Sequence, residues 1–202
     1  MLNDEKLREI CDTACYKLLT ELFCDCGVYL WVRGLYSDAD RLSHASIEIA
    51  ERVLAPHDCL RAQAYTLLGC VYLRSENRVE LAHKALQTAL GIRQENLTAV
   101  YSDIDPPMDV SIQLPNTYSN LGIAAKQMQL YERAAELHFS SVEIKERYPS
   151  YCAGFLLALS YHNLGKVRRL QAQAGSEGNG RPFLSLRSLY PAIPDPNPNA
   201  CN

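Results

Sequence analysis

Asn116–Ile144, NTYSNLGIAAKQMQLYERAAELHFSSVEI, reads as two amphipathic helices joined by a tight turn. In the first half, Leu121, Gly122 and Ala125 share one stripe at helical spacing. In the second half, Tyr131, Ala134, Ala135, Phe139, Val142 and Ile144 do the same. Pro115 precedes the pair and Pro149 follows it, where proline interferes least with a helix. Neither helix can bury its stripe alone, so the surrounding chain must supply matching faces.

Working outward, the same pattern recurs. A helix is expected from near Glu5 to Gly34, with Leu7, Ile10, Ala14, Leu18, Leu22, Cys26, Tyr29 and Leu30 as its apolar pattern. A second runs from Tyr36 to about Leu54, a third from Asp58 to Arg74, and a fourth from Val79 to Gln94. Residues 101–111 carry two consecutive prolines and three aspartates, and read as a loop. After the opening pair, a seventh helix is expected over 150–174, with Phe155, Leu156, Leu159, Tyr161, Leu164 and Val167. From residue 175 the composition turns Gly- and Pro-rich, with prolines at 182, 191, 194, 196 and 198. The organisation expected is a helical repeat domain over 1–174 and a mostly disordered tail over 175–202.

Gly27, Gly69, Gly122 and Gly165 lie at spacings of 42, 53 and 43, a period near 42 once the proline loop is discounted. Ala39 and Ala134 stand twelve residues after their glycines, and Ala82 thirteen after Gly69, which implies one extra residue in that turn. Seven further on come Ser46, Ala89 and Ser141. Each unit closes on an apolar pair: Ile47 with Ile49, Leu90 with Ile92, and Val142 with Ile144. Glycine inside a helix costs about 1 kcal/mol relative to alanine. Four at equivalent positions therefore need a reason, and close helix–helix packing supplies one.

These residues resemble the tetratricopeptide repeat (TPR) family, in the variant of about 42 residues found in kinesin light chains. The Leu-Gly pairs, Tyr72 three after its glycine, and the Gly34-x-Tyr36 and Gln129-x-Tyr131 turns carry the likeness, over about residues 10–170. It implies an all-α, right-handed TPR-like superhelix of antiparallel helix pairs, about three and a half repeats long. The fourth unit departs from the pattern: Leu170-Gln-Ala-Gln-Ala-Gly-Ser has no turn and second helix after it.

The formal charge of −3 gives no basic face for general nucleic-acid binding. Residues 1–60 hold eleven Asp and Glu against six Lys and Arg, and residues 150–202 hold two against five. No run of about 18 apolar residues exists, so no membrane span is expected. The start of the chain lacks the apolar core of a secretory signal, and a cytoplasmic location is the expectation. The eight cysteines form no CxxC pair and read as reduced, buried packing residues. The Asn96-Leu97-Thr98 sequon is then incidental.

No catalytic motif stands out, so no enzyme activity, metal or cofactor is expected. Gly165-Lys166 lacks the upstream glycine of a phosphate-binding loop. His44, His83 and His138 fall on the second helices of three units and are expected near repeat edges. Trp31 is expected to be partly buried, with its N–H bonded.

The resemblance implies that the working surface is the concave groove lined by the first helices. With the glycine counted as position eight, position six holds Asp25, Leu67, Asn120 and Asn163. In kinesin-light-chain-like repeats an Asn there contacts an extended peptide, which suits an amide able to donate and accept at once. The competing reading is that the amide ties neighbouring helices. The groove set is Asn120, Asn163, Asn116, Arg74, Lys126, Gln127, Lys166 and Arg169. Lys126, Lys166 and Arg169 favour an acidic partner.

The function expected is a non-catalytic adaptor or scaffold that binds a peptide or helix of a partner protein. Two other readings stand beside it: a fragment of a larger nucleotide-binding receptor-type protein, and an accessory protein or helical enzyme of a biosynthetic pathway. Self-association through the last helix is a further expectation, unless Phe183, Leu184, Leu186, Leu189 and Tyr190 fold back to cap it.

Overall fold

A computed structural model of the chain describes residues 4–75, 77–100, 112–148 and 154–177, the side chains of 4–11, 97–100 and 175–177 excepted. The regular structure among these residues is seven helices. They are α1 (Asp4–Val32), α2 (Tyr36–Val53), α3 (Cys59–Tyr72), α4 (Val79–Val100), α5 (Leu114–Gln127), α6 (Tyr131–Arg147) and α7 (Gly154–Glu177). The chain divides into two compact units, Met1–Asn96 and Leu97–Asn202. The fold is all-α and TPR-like: helical hairpins that repeat with a period near 42 residues.

The boundaries follow local chemistry. Asp58 caps α3 by accepting from the Leu60 amide at 2.8 Å. Pro115 stands in the first turn of α5, where its missing N–H has no helical partner to lose. Between Gln94 and Val100 there is no glycine or proline, and α4 runs six residues further than its apolar pattern suggested. The Asn96 sequon therefore lies within a helix. The loop 101–111, the start expected for α7, and the tail beyond Glu177, with its candidate capping residues, fall outside the described residues.

Two turns share one geometry. The Leu35 amide donates to the Leu30 carbonyl, and the Leu130 amide donates to that of Ala125, both at 2.9 Å. Each bond closes over a residue in the left-handed region: Gly34 at φ 80° and Gln129 at φ 62°. Glycine takes this conformation freely, whereas a side chain there costs about 1–2 kcal/mol. Gln129→Gly is expected to stabilise the second unit by about 1 kcal/mol, and Gly34→Ala to destabilise the first by a similar amount. Urea denaturation of the two variants checks both signs.

The repeated small residues are where the helices meet. Ala39, Ala82 and Ala134 are fully buried, and so are Ser46, Ala89 and Ser141. The glycines accommodate side chains. An added Cβ at Gly69 would lie 2.5 Å from Leu86 Cγ, and one at Gly122 would lie 2.7 Å from His138 Cε1. Allowing for the extra turn residue, Leu86 and His138 occupy the same place in their repeats. In the first repeat that place is Ser43, which is shorter, and Leu67 of α3 fills the space over Gly27 instead.

Three expectations are corrected. Leu18, Leu22, Cys26 and Tyr29 of α1 point outward, and the buried side is Thr20, Cys24 and Gly27. Phe139 is exposed, while its neighbours Leu137 and His138 are buried. Among the described cysteines, Cys15 and Cys26 are exposed thiols, Cys24 is fully buried, and Cys59 and Cys70 are half-buried.

Candidate functional site

The groove residues fall on both units. Arg74 follows the end of α3 in the first unit and is exposed. In the second unit, Asn116 and Asn120 lie one turn apart on α5 and are half-buried, as is Lys126, while Gln127 is exposed. On α7, Asn163 is half-buried, and Lys166 and Arg169 are exposed. The helices α5 and α7 both pack on α6. The second unit thus gathers Asn116, Asn120, Lys126, Gln127, Asn163, Lys166 and Arg169, and Arg74 belongs to the first.

The position two before the glycine is exposed in α1, where it is Asp25, and half-buried in α5 and α7, where it is Asn120 and Asn163. In α3 it is Leu67, which is 4% exposed and packed over Gly27 of the preceding pair. In α7 the same face carries Ser160 and Val167, both buried. Ser160 Oγ accepts from Lys145 Nζ of α6 at 2.8 Å. Half-buried Asn163 lies between these two along α7.

Trp31 behaves as its chemistry requires. It is half-buried, and its Nε1 donates to the Cys70 carbonyl at 3.1 Å. The Arg74 guanidinium lies 5.5 Å from its ring centroid and 6.0 Å from that of Tyr36. Arg74 is thus held by two aromatic faces. Beside it, Arg78 pairs with Asp40 at 2.8 Å and sits 4.4 Å from the Tyr72 ring. His44 hydrogen-bonds the Tyr72 hydroxyl at 3.0 Å.

The histidines are dispersed rather than aligned at repeat edges. His44 is exposed, His83 half-buried and His138 buried. Burial pushes the His138 pKa down to about 4, and the charges of Lys126 and Lys145 add to the shift. His138 is therefore neutral at pH 7, with no hydrogen-bond partner for its Nδ1 among the described residues. Burial likewise pushes the Cys24 thiol up to about 11 and the Cys70 thiol up to about 12, so neither is a nucleophile at pH 7. Among the described residues, no three His, Cys, Asp or Glu side chains are placed to hold a metal ion.

Sequence reading missed two buried cations. Arg93 is 1% exposed and donates to Thr66 Oγ1 at 2.8 Å, and Lys145 is 3% exposed. With the extra turn residue allowed for, the two share one position, 23 after the glycine. That alignment was the available signal. It also missed a recurring tie: Tyr65 of α3 bonds Glu51 of α2, and Tyr161 of α7 bonds Glu146 of α6. Both tyrosines stand four before their glycines.

The fold defines a TPR-like helical repeat. No protein-family model matches the sequence, and no curated protein matches it. Among solved structures, the crystal structure of BtubC (BKLC) from P. vanneervenii is similar, with a TM-score of 0.65 at 17% identity. The match covers 84% of this chain and 70% of that one. The likeness is one of fold. No helix among the described residues is long and apolar enough to cross a membrane.

Proposed function

We propose that the chain is a non-catalytic interaction module that binds an extended, acidic segment of a partner protein. One observation carries this reading: among the described residues no ion pair engages Lys126, Lys166 or Arg169, and the unit that holds them also carries the amides of Asn116, Asn120 and Asn163. Unpaired cations together with amides suit a peptide that offers carboxylates and backbone groups together. The period near 42 residues and the TPR-like fold agree with a kinesin-light-chain-like variant, in which first helices line the binding groove. The described cysteines are thiols rather than disulfides, which fits a cytoplasmic location.

An array of extended peptides of graded charge, probed with the full chain, tests the proposal. Acidic peptides are expected to bind and their Lys-substituted counterparts to fail. A Lys126→Glu/Lys166→Glu/Arg169→Glu variant is expected to lose binding by about tenfold or more, the equivalent of 1.4 kcal/mol. The Asn120→Ala/Asn163→Ala variant separates the groove role of the amides from a purely structural one. Unchanged binding by both variants overturns the proposal.

A further inference from the structure

Two exposed stripes at opposite ends of the sequence have the same spacing. On α1 they are Leu18, Leu22, Asp25, Tyr29 and Val32, and on α7 Phe155, Leu159, His162, Lys166 and Arg169. Each set follows i, i+4, i+7, i+11, i+14, one seam of a helix. All ten residues are exposed. Leu18, Tyr29 and Val32 are more than 60% exposed, and Phe155 is 73% exposed.

Both stripes lie on faces that inner helices cover. Relative to its glycine, the α1 stripe corresponds in α3 to Leu60, Ala64, Leu67 and Val71, all buried, and then to exposed Arg74. There, Leu60 and Ala64 pack with Cys24, Ala50 and Leu54 of the preceding pair, and Leu67 fills the space over Gly27. This is the face with which an odd-numbered helix meets the pair before it. The α7 stripe corresponds in α3 to Cys59, Gln63, Thr66, Cys70 and Leu73, every one half-buried. An added Cβ at Gly165, next to that stripe, meets no atom within 4 Å, unlike those at Gly69 and Gly122. Terminal faces of repeat arrays that meet only water are polar, whereas Asp25 alone is charged on the α1 stripe and the α7 stripe opens on exposed Phe155 and Leu159.

We propose that α1 of one copy docks against α7 of a second copy, joining the chain to itself head to tail. The stripes are complementary when laid parallel, the direction in which α1 and α3 run. Leu18 and Leu22 then meet Phe155 and Leu159. Asp25 faces His162, and Tyr29 offers its ring to the Lys166 ammonium. Val32 lies on the aliphatic stem of Arg169. The exposed acid Glu21 borders the α1 side, and the acidic excess of residues 1–60 meets the basic excess of 150–202. The two faces differ, so every added copy leaves one of each free and the association is open-ended. This inference goes beyond partner binding: it gives Lys166 and Arg169 a second ligand, for which an acidic peptide competes.

Sedimentation velocity of the full chain from about 10 µM to about 1 mM tests it, over the range where a small interface shows mass action. The weight-average mass is expected to climb past the dimer. Leu22→Glu/Tyr29→Glu and Phe155→Glu/Leu159→Glu are each expected to be monomeric, with unchanged helical circular dichroism. Neither variant alters a residue of the proposed peptide site, so its result stands apart from the peptide array. Mixed one to one, the two variants are expected to form a dimer and nothing larger, because each retains one intact face. A wild-type monomer throughout overturns the proposal. So does self-association that survives in either variant, which means a symmetric contact through one helix. Association that appears only after residues 178–202 are deleted also overturns it, because the chain's own end then covers α7.

Discussion

Leu86→Ala is expected to destabilise the first unit by about 2–5 kcal/mol, and Gly69→Ala is expected to recover part of that loss. Leu86 is fully buried, and its Cγ and Cδ2 occupy the space where a Cβ on residue 69 would lie, at 2.5 and 2.8 Å. Truncation leaves a cavity against the α3 backbone. In the wild-type background, Gly69→Ala overpacks the same space, an effect of about 1–3 kcal/mol against a gain in helix propensity of about 1 kcal/mol. Once Leu86 is gone, the new methyl enters an empty notch, and the propensity gain remains. The double variant is expected to be more stable than the sum of the single changes by about 1–2 kcal/mol. Urea titrations of the four members of the cycle give that number. Additivity would mean that the notch and its filler do not share one space.

The second large effect is acid sensitivity through His138. Its folded pKa is about 4 against an ordinary 6.5. Below 6.5 the unfolded chain takes up a proton that the folded chain refuses. The contribution of the neutral imidazole is thus complete above about pH 6.5 and is lost as pH falls toward 4. The shift corresponds to on the order of 3 kcal/mol across that window. Lys126 and Lys145 steepen the penalty, since a proton on His138 adds a third positive charge to the cluster. His138→Leu puts in this place the side chain that Leu86 supplies in the second repeat. It is expected to hold the Gly122 notch and to flatten the stability profile between pH 6.5 and 4. A profile unchanged by that substitution would assign the acid sensitivity to other groups.

Much of the fold could be read before any coordinates. The glycines, the alanines twelve or thirteen further on and the small residues seven beyond those mark helix contacts, because only a small side chain lets two helices come that close. Gly34-x-Tyr36 and Gln129-x-Tyr131 announced their turns, although the equal backbone geometry of Gly34 and Gln129 could not be foreseen from such different side chains. What failed was the direction of the stripes in α1 and α7. Hydrophobic periodicity identifies a face but not what covers it, and in an end helix the most apolar line can be the one that no described helix reaches. Leu18, Leu22 and Tyr29 are that case. The buried cations Arg93 and Lys145 were also illegible by composition. A basic group goes inside only where local acceptors such as Thr66 Oγ1 and Ser160 Oγ await it, and those lie on other helices. For the candidate site, the sequence named the cations and amides, and the structure distributes them over both units, with Arg74 in the first and the rest in the second.

Within each unit, packing joins helices that are near in sequence: α1 with α2, α2 with α3, α5 with α6, and α6 with α7. This arrangement has a kinetic consequence. Every such contact closes a short loop, so little chain entropy is lost before packing begins to stabilise the structure. Each hairpin can form early, without waiting for distant parts of the chain, as in other arrays of local contacts. The three-residue turns at Gly34 and Gln129 are then the natural starting points. Slow steps, where they occur, belong to the docking of one hairpin on the next, at ties such as Tyr65 with Glu51 and Tyr161 with Glu146.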